Sequence, residues 1–168
     1  MSELLSDAAF AALYQSYSHQ IYQLCLSYCN DRDLANDLLQ ETFILVWKNR
    51  TKFRGEAQVR TWIYRIAVNT CLGHIRSTQN KQTDSLTQTL LTHHSDDQNI
   101  DDEQSITLLY QAIQQLPEPD RLLIGMVLQE LPYEQIAEAL GIQEGTLRVK
   151  IHRVKKQLAT IFTELQKQ

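Results

Sequence analysis

The stretch Tyr133-Glu134-Gln135-Ile136-Ala137-Glu138-Ala139-Leu140-Gly141-Ile142-Gln143-Glu144-Gly145-Thr146-Leu147-Arg148 decides how this chain folds. It reads as helix, short turn, helix. Tyr133, Ile136, Ala137 and Leu140 recur at helical spacing, and Ala137 is small enough for a second helix to cross closely. Gly141 suits the left-handed cap that ends the first helix. The second helix is predicted from about Gln143 to Gln166, with Leu147, Ile151, Val154, Leu158 and Ile161 as its buried stripe. At about 100° per residue, Gly145, Arg148, Val149, His152, Arg153 and Lys156 take the opposite arc. That arc suits a DNA major groove: arginines for guanine edges and phosphates, a valine for a thymine methyl, a bare glycine for close approach. An ordinary amphipathic helix pair with a wet basic face would share the pattern.

Working upstream, Pro132 opens the first of these helices, and Pro117 and Pro119 stop one helix and start another. A helix from near Glu103 to Leu116 begins this half. Residues 77–103 before it are polar and acidic, with too little apolar surface to fold alone, although Leu86, Leu90 and Leu91 can form a transient turn. Residues 6–30 read as one or two helices, about Leu34 to Lys48 as a long one, and about Ala57 to Arg76 as a third. The expected fold is all-α: two small helical domains, residues 1–76 and 104–168, on a flexible linker of residues 77–103.

The net charge of −4 conceals segregation. Residues 1–47 carry one basic and six acidic side chains. Residues 48–76 carry Lys48, Arg50, Lys52, Arg54, Arg60, Arg65 and Arg76 against Glu56 alone, and residues 77–103 carry Lys81 against six acids. Residues 104–168 balance seven against seven but turn basic from Arg148 onward. Two basic patches in an acidic chain suggest two contacts with a polyanion, with a solvated cationic face as the plain alternative. No apolar run reaches the roughly 18 residues of a membrane span, and the N-terminus lacks the basic start and apolar core of a signal peptide. The expected address is the cytoplasm. Cys25, Cys29 and Cys71 fit it as small buried thiols; a redox or metal role with a histidine is the other reading.

On the predicted helix from Leu34, the residues Leu34, Leu38, Leu39, Leu45 and Val46 fill a core face. The remaining arc holds Asp37, Gln40, Phe43 and Trp47, with Glu41 at its edge. Aromatics beside carboxylates look like a protein-binding surface, whereas packing of Phe43 and Trp47 under the first helices is the commoner fate of such rings. Next comes Phe53-Arg54-Gly55-Glu56-Ala57, then a helix on which Val59, Ile63, Ile66, Ala67 and Thr70 can face inward. Thr61, Tyr64, Arg65, Asn69 and Arg76 are expected on or near the outer side. Aromatics interleaved with arginines can stack on unpaired bases while neutralising phosphates.

Asp37-Leu38-Leu39-Gln40-Glu41-Thr42-Phe43, Trp47, Phe53-Arg54-Gly55-Glu56 and Thr61-Trp62-Ile63-Tyr64-Arg65-Ile66-Ala67-Val68-Asn69-Thr70 closely resemble region 2 of the extracytoplasmic-function sigma factors. Leu116-Pro117, Tyr133 to Ile142, Glu144 to Leu147 and His152-Arg153 resemble their region 4. The resemblance implies a non-enzymatic subunit that binds core RNA polymerase and directs it to promoters. Asp37, Gln40, Glu41, Phe43 and Trp47 match positions that grip the clamp helices of the largest polymerase subunit. Phe53 to Ala57 match the loop that holds a base flipped from the −10 element, with Arg60, Thr61, Trp62, Tyr64, Arg65 and Asn69 in the same −10 region. Gly145, Thr146, Arg148, Val149, Lys150, His152 and Arg153 match the region that reads the −35 element. Val149 departs from the family, which usually has a serine there.

No nucleotide loop, metal cage or nucleophile with its base is legible, so no cofactor or metal is expected. A free-standing helix-turn-helix repressor explains residues 116–168 but leaves Asp37 to Trp47 without a purpose. An adaptor whose basic faces bind acidic proteins predicts no salt-dependent DNA affinity. The chain starts almost directly with its first domain, so control is expected from a separate anti-sigma protein, often membrane-anchored in this family, with no membrane insertion by this chain. The alternative is that the two domains dock through basic and acidic faces and inhibit themselves.

Overall fold

Ser6 sets the start of the first helix, α1 (Asp7–Cys29), where its hydroxyl accepts the Ala9 N–H at 3.1 Å and Asp7 complements the helix dipole. Asn30 ends it in the left-handed region at φ 48°, and Asp31 starts α2 (Arg32–Asn49) by accepting the Leu34 N–H at 3.0 Å. Asn and Asp tolerate these roles because their short amides and carboxylates bond locally to the backbone. A single 3₁₀ turn, Arg50–Lys52, leads to α3 (Val59–Gln79). The second half holds α4 (Ile100–Gln114), α5 (Glu118–Leu128), α6 (Tyr133–Leu140) and α7 (Glu144–Gln166). This computed structural model describes residues 6–55, 58–79 and 100–168, with backbone alone for 75–79, 100 and 101. Of the expected linker of residues 77–103, residues 80–99, with Leu86, Leu90 and Leu91, lie outside what is described, as do Glu56, Ala57 and the Arg76 side chain, whereas residues 77–79 continue α3 and residues 100–103 already belong to α4. Among the described residues there is no strand.

The turn between α6 and α7 has the expected chemistry. Gly141 sits at φ 70°, and the Ile142 N–H closes back on the Ala137 carbonyl at 3.0 Å. A similar reversal ends α5, where Glu130 takes φ 58° without being glycine and Leu131 N–H reaches the Met126 carbonyl. That conformation costs about 1–2 kcal/mol in a non-glycine residue, which the buried Leu131 side chain helps offset.

α1, α2 and α3 form one bundle, and α4 to α7 form a second. The two are in direct contact. α1 lies against α4 and α5, and α3 lies against α5 and α6, so that one apolar core runs from Ile21, Leu24 and Leu38 through Ile63 and Ala67 to Leu123, Ile136 and Leu158. Gly125 marks a close approach of the halves: a Cβ there would stand 3.1 Å from Leu24 Cδ1 and from Ser27 Cβ.

Candidate functional site

Three surfaces carry the residues singled out from the sequence. The first is the outer side of α1 and α2. Asp37, Gln40 and Glu41 are exposed, as expected. Phe43 is not: it is 3% exposed and covered edge-on by Tyr14 at 4.9 Å and Phe10 at 6.3 Å between ring centroids. The expectation of an exposed Phe43 is thereby corrected, because α1 runs directly over this position. Trp47 is half-buried, packed 5.1 Å from Phe10 and capped by the Arg50 guanidinium 3.5 Å from its centroid. Ile44, 52% exposed, and Tyr14 reach solvent on this surface, and neither was singled out from the sequence. With Phe10, Tyr14, Gln40, Phe43 and Trp47, Ile44 lines an apolar groove of about 590 Å³.

The second surface is the start of α3. Gly55 takes φ 75°, which turns the chain so that Phe53 packs on Trp62 with centroids 4.9 Å apart. Arg54, Arg65 and Asn69 are exposed and Arg60 is half-buried. Asn69 shares a groove of about 520 Å³ with Glu41, Asn49 and His74. Thr61 and Tyr64 overturn their expected outward placement, at 1% and 0% exposed. The physical reason is that α3 has two buried sides. It lies against α1 and α2 within its own bundle and against α5 and α6 of the other, and at the seam with α5 Tyr64 donates its hydroxyl to the Gln129 side chain. Burial in that seam pushes the Tyr64 hydroxyl from its ordinary value near 10 up to about 12, opposed in part by the nearby Arg60 cation.

Arg60 and Arg65 are both engaged from across the seam. Arg60 donates through Nε at 3.0 Å and Nη2 at 2.7 Å to Gln135 Oε1, and Gln135 in turn donates to Gln58 at 2.9 Å. Arg65 Nη2 donates to the Glu138 carbonyl at 2.8 Å. The partners Gln58, Gln129, Gln135 and Glu138 carried no signal in the sequence, since polar residues at helix ends and on exposed arcs read as solvated.

The third surface is α7. Leu147, Ile151, Val154 and Leu158 are buried and Ile161 partly so, while Gly145, Thr146, Arg148, Val149, His152 and Arg153 are exposed. Lys150 is half-buried and reaches Asp120 of α5 at 3.7 Å. Arg148 pairs with Glu144 at 2.9 Å and lies 5.3 Å from the Tyr133 ring centroid. Val149, 53% exposed, forms one wall of a groove of about 520 Å³ with Asp120, Thr146, Lys150 and Arg153.

The cysteines are inert by environment. Cys25 and Cys71 are buried, and Cys71 is held protonated by its contact with Cys25 and by burial. Burial pushes Cys29 from about 9 up to about 12. Among the described residues, no cluster of histidine, cysteine and carboxylates could hold a metal, and no helix is long and apolar enough to cross a membrane.

Residues 13–81 match the family described as Sigma-70 region 2, and residues 106–158 match Sigma-70, region 4. The RNA polymerase sigma-H factor of Pseudomonas aeruginosa is 31% identical over 160 residues, spanning 88% of this chain and 83% of its own. The RNA polymerase sigma factor YlaC of Bacillus subtilis is 30% identical, spanning 90% and 91%. The ECF RNA polymerase sigma-E factor of Haemophilus influenzae is 30% identical, spanning 89% and 85%. In fold, the chain is similar to the sigma factor RpoE of Bartonella quintana solved with the anti-sigma factor NepR, at a TM-score of 0.79 and 18% identity over 92% of this chain and 96% of that one. It is also similar to CnrH solved with the cytosolic domain of CnrY, at a TM-score of 0.70 and 16% identity over 95% and 90%.

Proposed function

Since the chain belongs to the extracytoplasmic-function sigma factors of the sigma-70 family, we propose that it acts as one by dividing promoter recognition between its two halves. It is an RNA polymerase sigma factor that directs promoter-specific initiation. Residues 1–76 are assigned to core polymerase and the −10 element, residues 104–168 to the −35 element, and residues 77–103 to the connection. The observation that carries the division is the pair of family matches in order, each ending on a basic helix face, α3 and α7.

The work is done by binding energy. α7 would enter duplex DNA with Arg148, Val149, His152 and Arg153, while Phe53, Arg54, Trp62, Arg65 and Asn69 would receive unpaired bases. Unstacking a base costs a few kcal/mol, and stacking on an aromatic returns about 1–3 kcal/mol per base. Asp37, Gln40, Glu41 and Trp47, with Ile44 added, would meet the polymerase clamp helices. Phe43 supports that face from below. Nucleotide addition would belong to the polymerase, with this chain working beside it in the cytoplasm as a non-catalytic subunit. An anti-sigma protein is the expected inhibitor, as NepR is for the structurally similar RpoE.

Run-off transcription with purified core polymerase on a genomic library, followed by start-site mapping, tests the reading. Start sites sharing one upstream pair of elements are the expected result. Tight binding to duplex sites without polymerase, and no dependence of start sites on the chain, would point instead to a free-standing helix-turn-helix repressor.

A further inference from the structure

Val149 is 53% exposed, and among the described residues it is the one large apolar side chain that α7 leaves in water. The fold gains nothing from it. Val149 takes no part in the apolar core, and its branched Cβ lowers helix propensity relative to alanine.

Its place on the helix gives it another use. Val149 is the sixth residue of α7, and the early residues of such a helix are the ones that reach base edges. Gly145 and Thr146 stand one turn before it and His152 and Arg153 one turn after it, all exposed, so Val149 sits at the centre of the arc assigned to the duplex.

The cations beside it are drawn to either side. Arg148 pairs with Glu144 at 2.9 Å and leans towards α6, 5.3 Å from the Tyr133 ring centroid. Lys150 reaches the other way, to Asp120 of α5 at 3.7 Å. Between them, Val149 and Thr146 line a groove of about 520 Å³ together with Arg153, which pairs with no carboxylate among the described residues.

In the major groove guanine offers N7 and O6, adenine N7 and an amino group, and cytosine an amino group; thymine alone adds a methyl. A valine replaces none of the water that it displaces from a polar edge, whereas against a methyl it buries apolar surface. A serine, the residue usual at this position in the family, hydrogen-bonds to any of the edges and makes no such choice.

We infer that Val149 is the specificity residue of the duplex contact and selects a 5-methylpyrimidine, thymine in unmodified DNA, in the −35 element. The inference rests on the assignment of α7 to promoter DNA. Four helical residues advance about 6 Å and stacked bases about 3.4 Å each, so the selected thymine lies within about two base pairs of the base that Arg153 reads. Methylated cytosine presents the same methyl, and this position therefore distinguishes it from cytosine.

The test uses holoenzyme assembled from the full-length chain and core polymerase, on a fluorescein-labelled promoter duplex taken from the mapped start sites. Each −35 thymine on either strand is replaced in turn by deoxyuridine, which removes the methyl and nothing else. At one position the exchange should weaken wild-type binding about three- to fivefold, the worth of one buried methyl. Val149→Ser, with helicity checked by circular dichroism, should bind the thymine and uracil duplexes equally. With cytosine placed at that position, its 5-methyl form should bind the wild type more tightly by a similar factor and Val149→Ser no more tightly. A −35 element without thymine, a wild type indifferent to every thymine methyl in it, or a methyl effect of equal size in folded Val149→Ser would each overturn the inference. Failure of the sigma-factor reading is seen separately, before any base is exchanged, as absence of promoter-specific transcripts with core polymerase.

Discussion

The ring of Phe43 meets the ring of Tyr14 edge-on, 4.9 Å between centroids and 70° between planes. This contact makes Phe43 a support for the α1–α2 surface, and it separates two variants that the sequence alone would treat as equivalent. Phe43→Ala should destabilise the chain by about 3–4 kcal/mol, as removal of a buried aromatic does, measured by urea denaturation. Ile44→Asp should leave stability within about 0.5 kcal/mol, because that side chain is already in water, yet weaken core polymerase binding at least about tenfold.

The polar rim of the same surface makes a parallel case. Asp37→Ala combined with Gln40→Ala should weaken core binding in a competition titration while circular dichroism and the melting temperature stay at wild-type values. Both residues are exposed, so their loss leaves no cavity. Unchanged affinity in the folded double variant would remove α2 from the polymerase interface.

The two DNA surfaces should fail independently. Arg148→Ala or Arg153→Ala should cost about 1–3 kcal/mol in recruitment to duplex promoters and spare a template already unpaired at −10. Arg65→Ala or Asn69→Ala should spare recruitment and slow bubble formation, read by a fluorescent base in the −10 strand. Equal losses for both pairs on both templates would contradict the division.

Alkaline pH should loosen the seam. The folded chain holds the Tyr64 proton to about 12, whereas an exposed tyrosine releases it near 10. That contribution to stability is complete below pH 10 and is lost as pH rises towards 12, because the unfolded chain then binds fewer protons. Cys29, raised from about 9 to about 12 by burial, acts in the same direction from pH 9 upward. Midpoints of urea unfolding should therefore be flat from neutrality to about pH 9 and fall above it, and Tyr64→Phe should reduce the slope above pH 10.

The helix-turn-helix was legible because α7 has a single buried side: its stripe from Leu147 to Leu158 alternates cleanly with Arg148, His152 and Arg153. α3 was legible only by half. A helix covered on more than one side shows no single apolar stripe, so Tyr64 and Thr61 were read as outward although both are buried. Phe43 was ambiguous for a different reason, since an apolar ring on an outer arc is equally consistent with a neighbour above it and with a docking partner. The amides of Gln20, Gln129 and Gln135 left no trace, because a residue that bonds across a seam has the same composition as one that bonds to water. Gly125, standing between Ile124 and Met126 in a helical run, was the one local clue that something passes close by.

Arg50 lying flat on Trp47 has an optical consequence. The chain contains two tryptophans, and they stand on different surfaces: Trp47 beneath a cation beside the α1–α2 groove, and Trp62 against Phe53 where unpaired bases would stack. A partner that lifts the guanidinium away changes the field at one indole, and a base that slides between the rings quenches the other. With Trp47→Phe and Trp62→Phe as the two single-fluorophore versions, polymerase docking and strand capture become separate light signals, read from the unlabelled protein in real time.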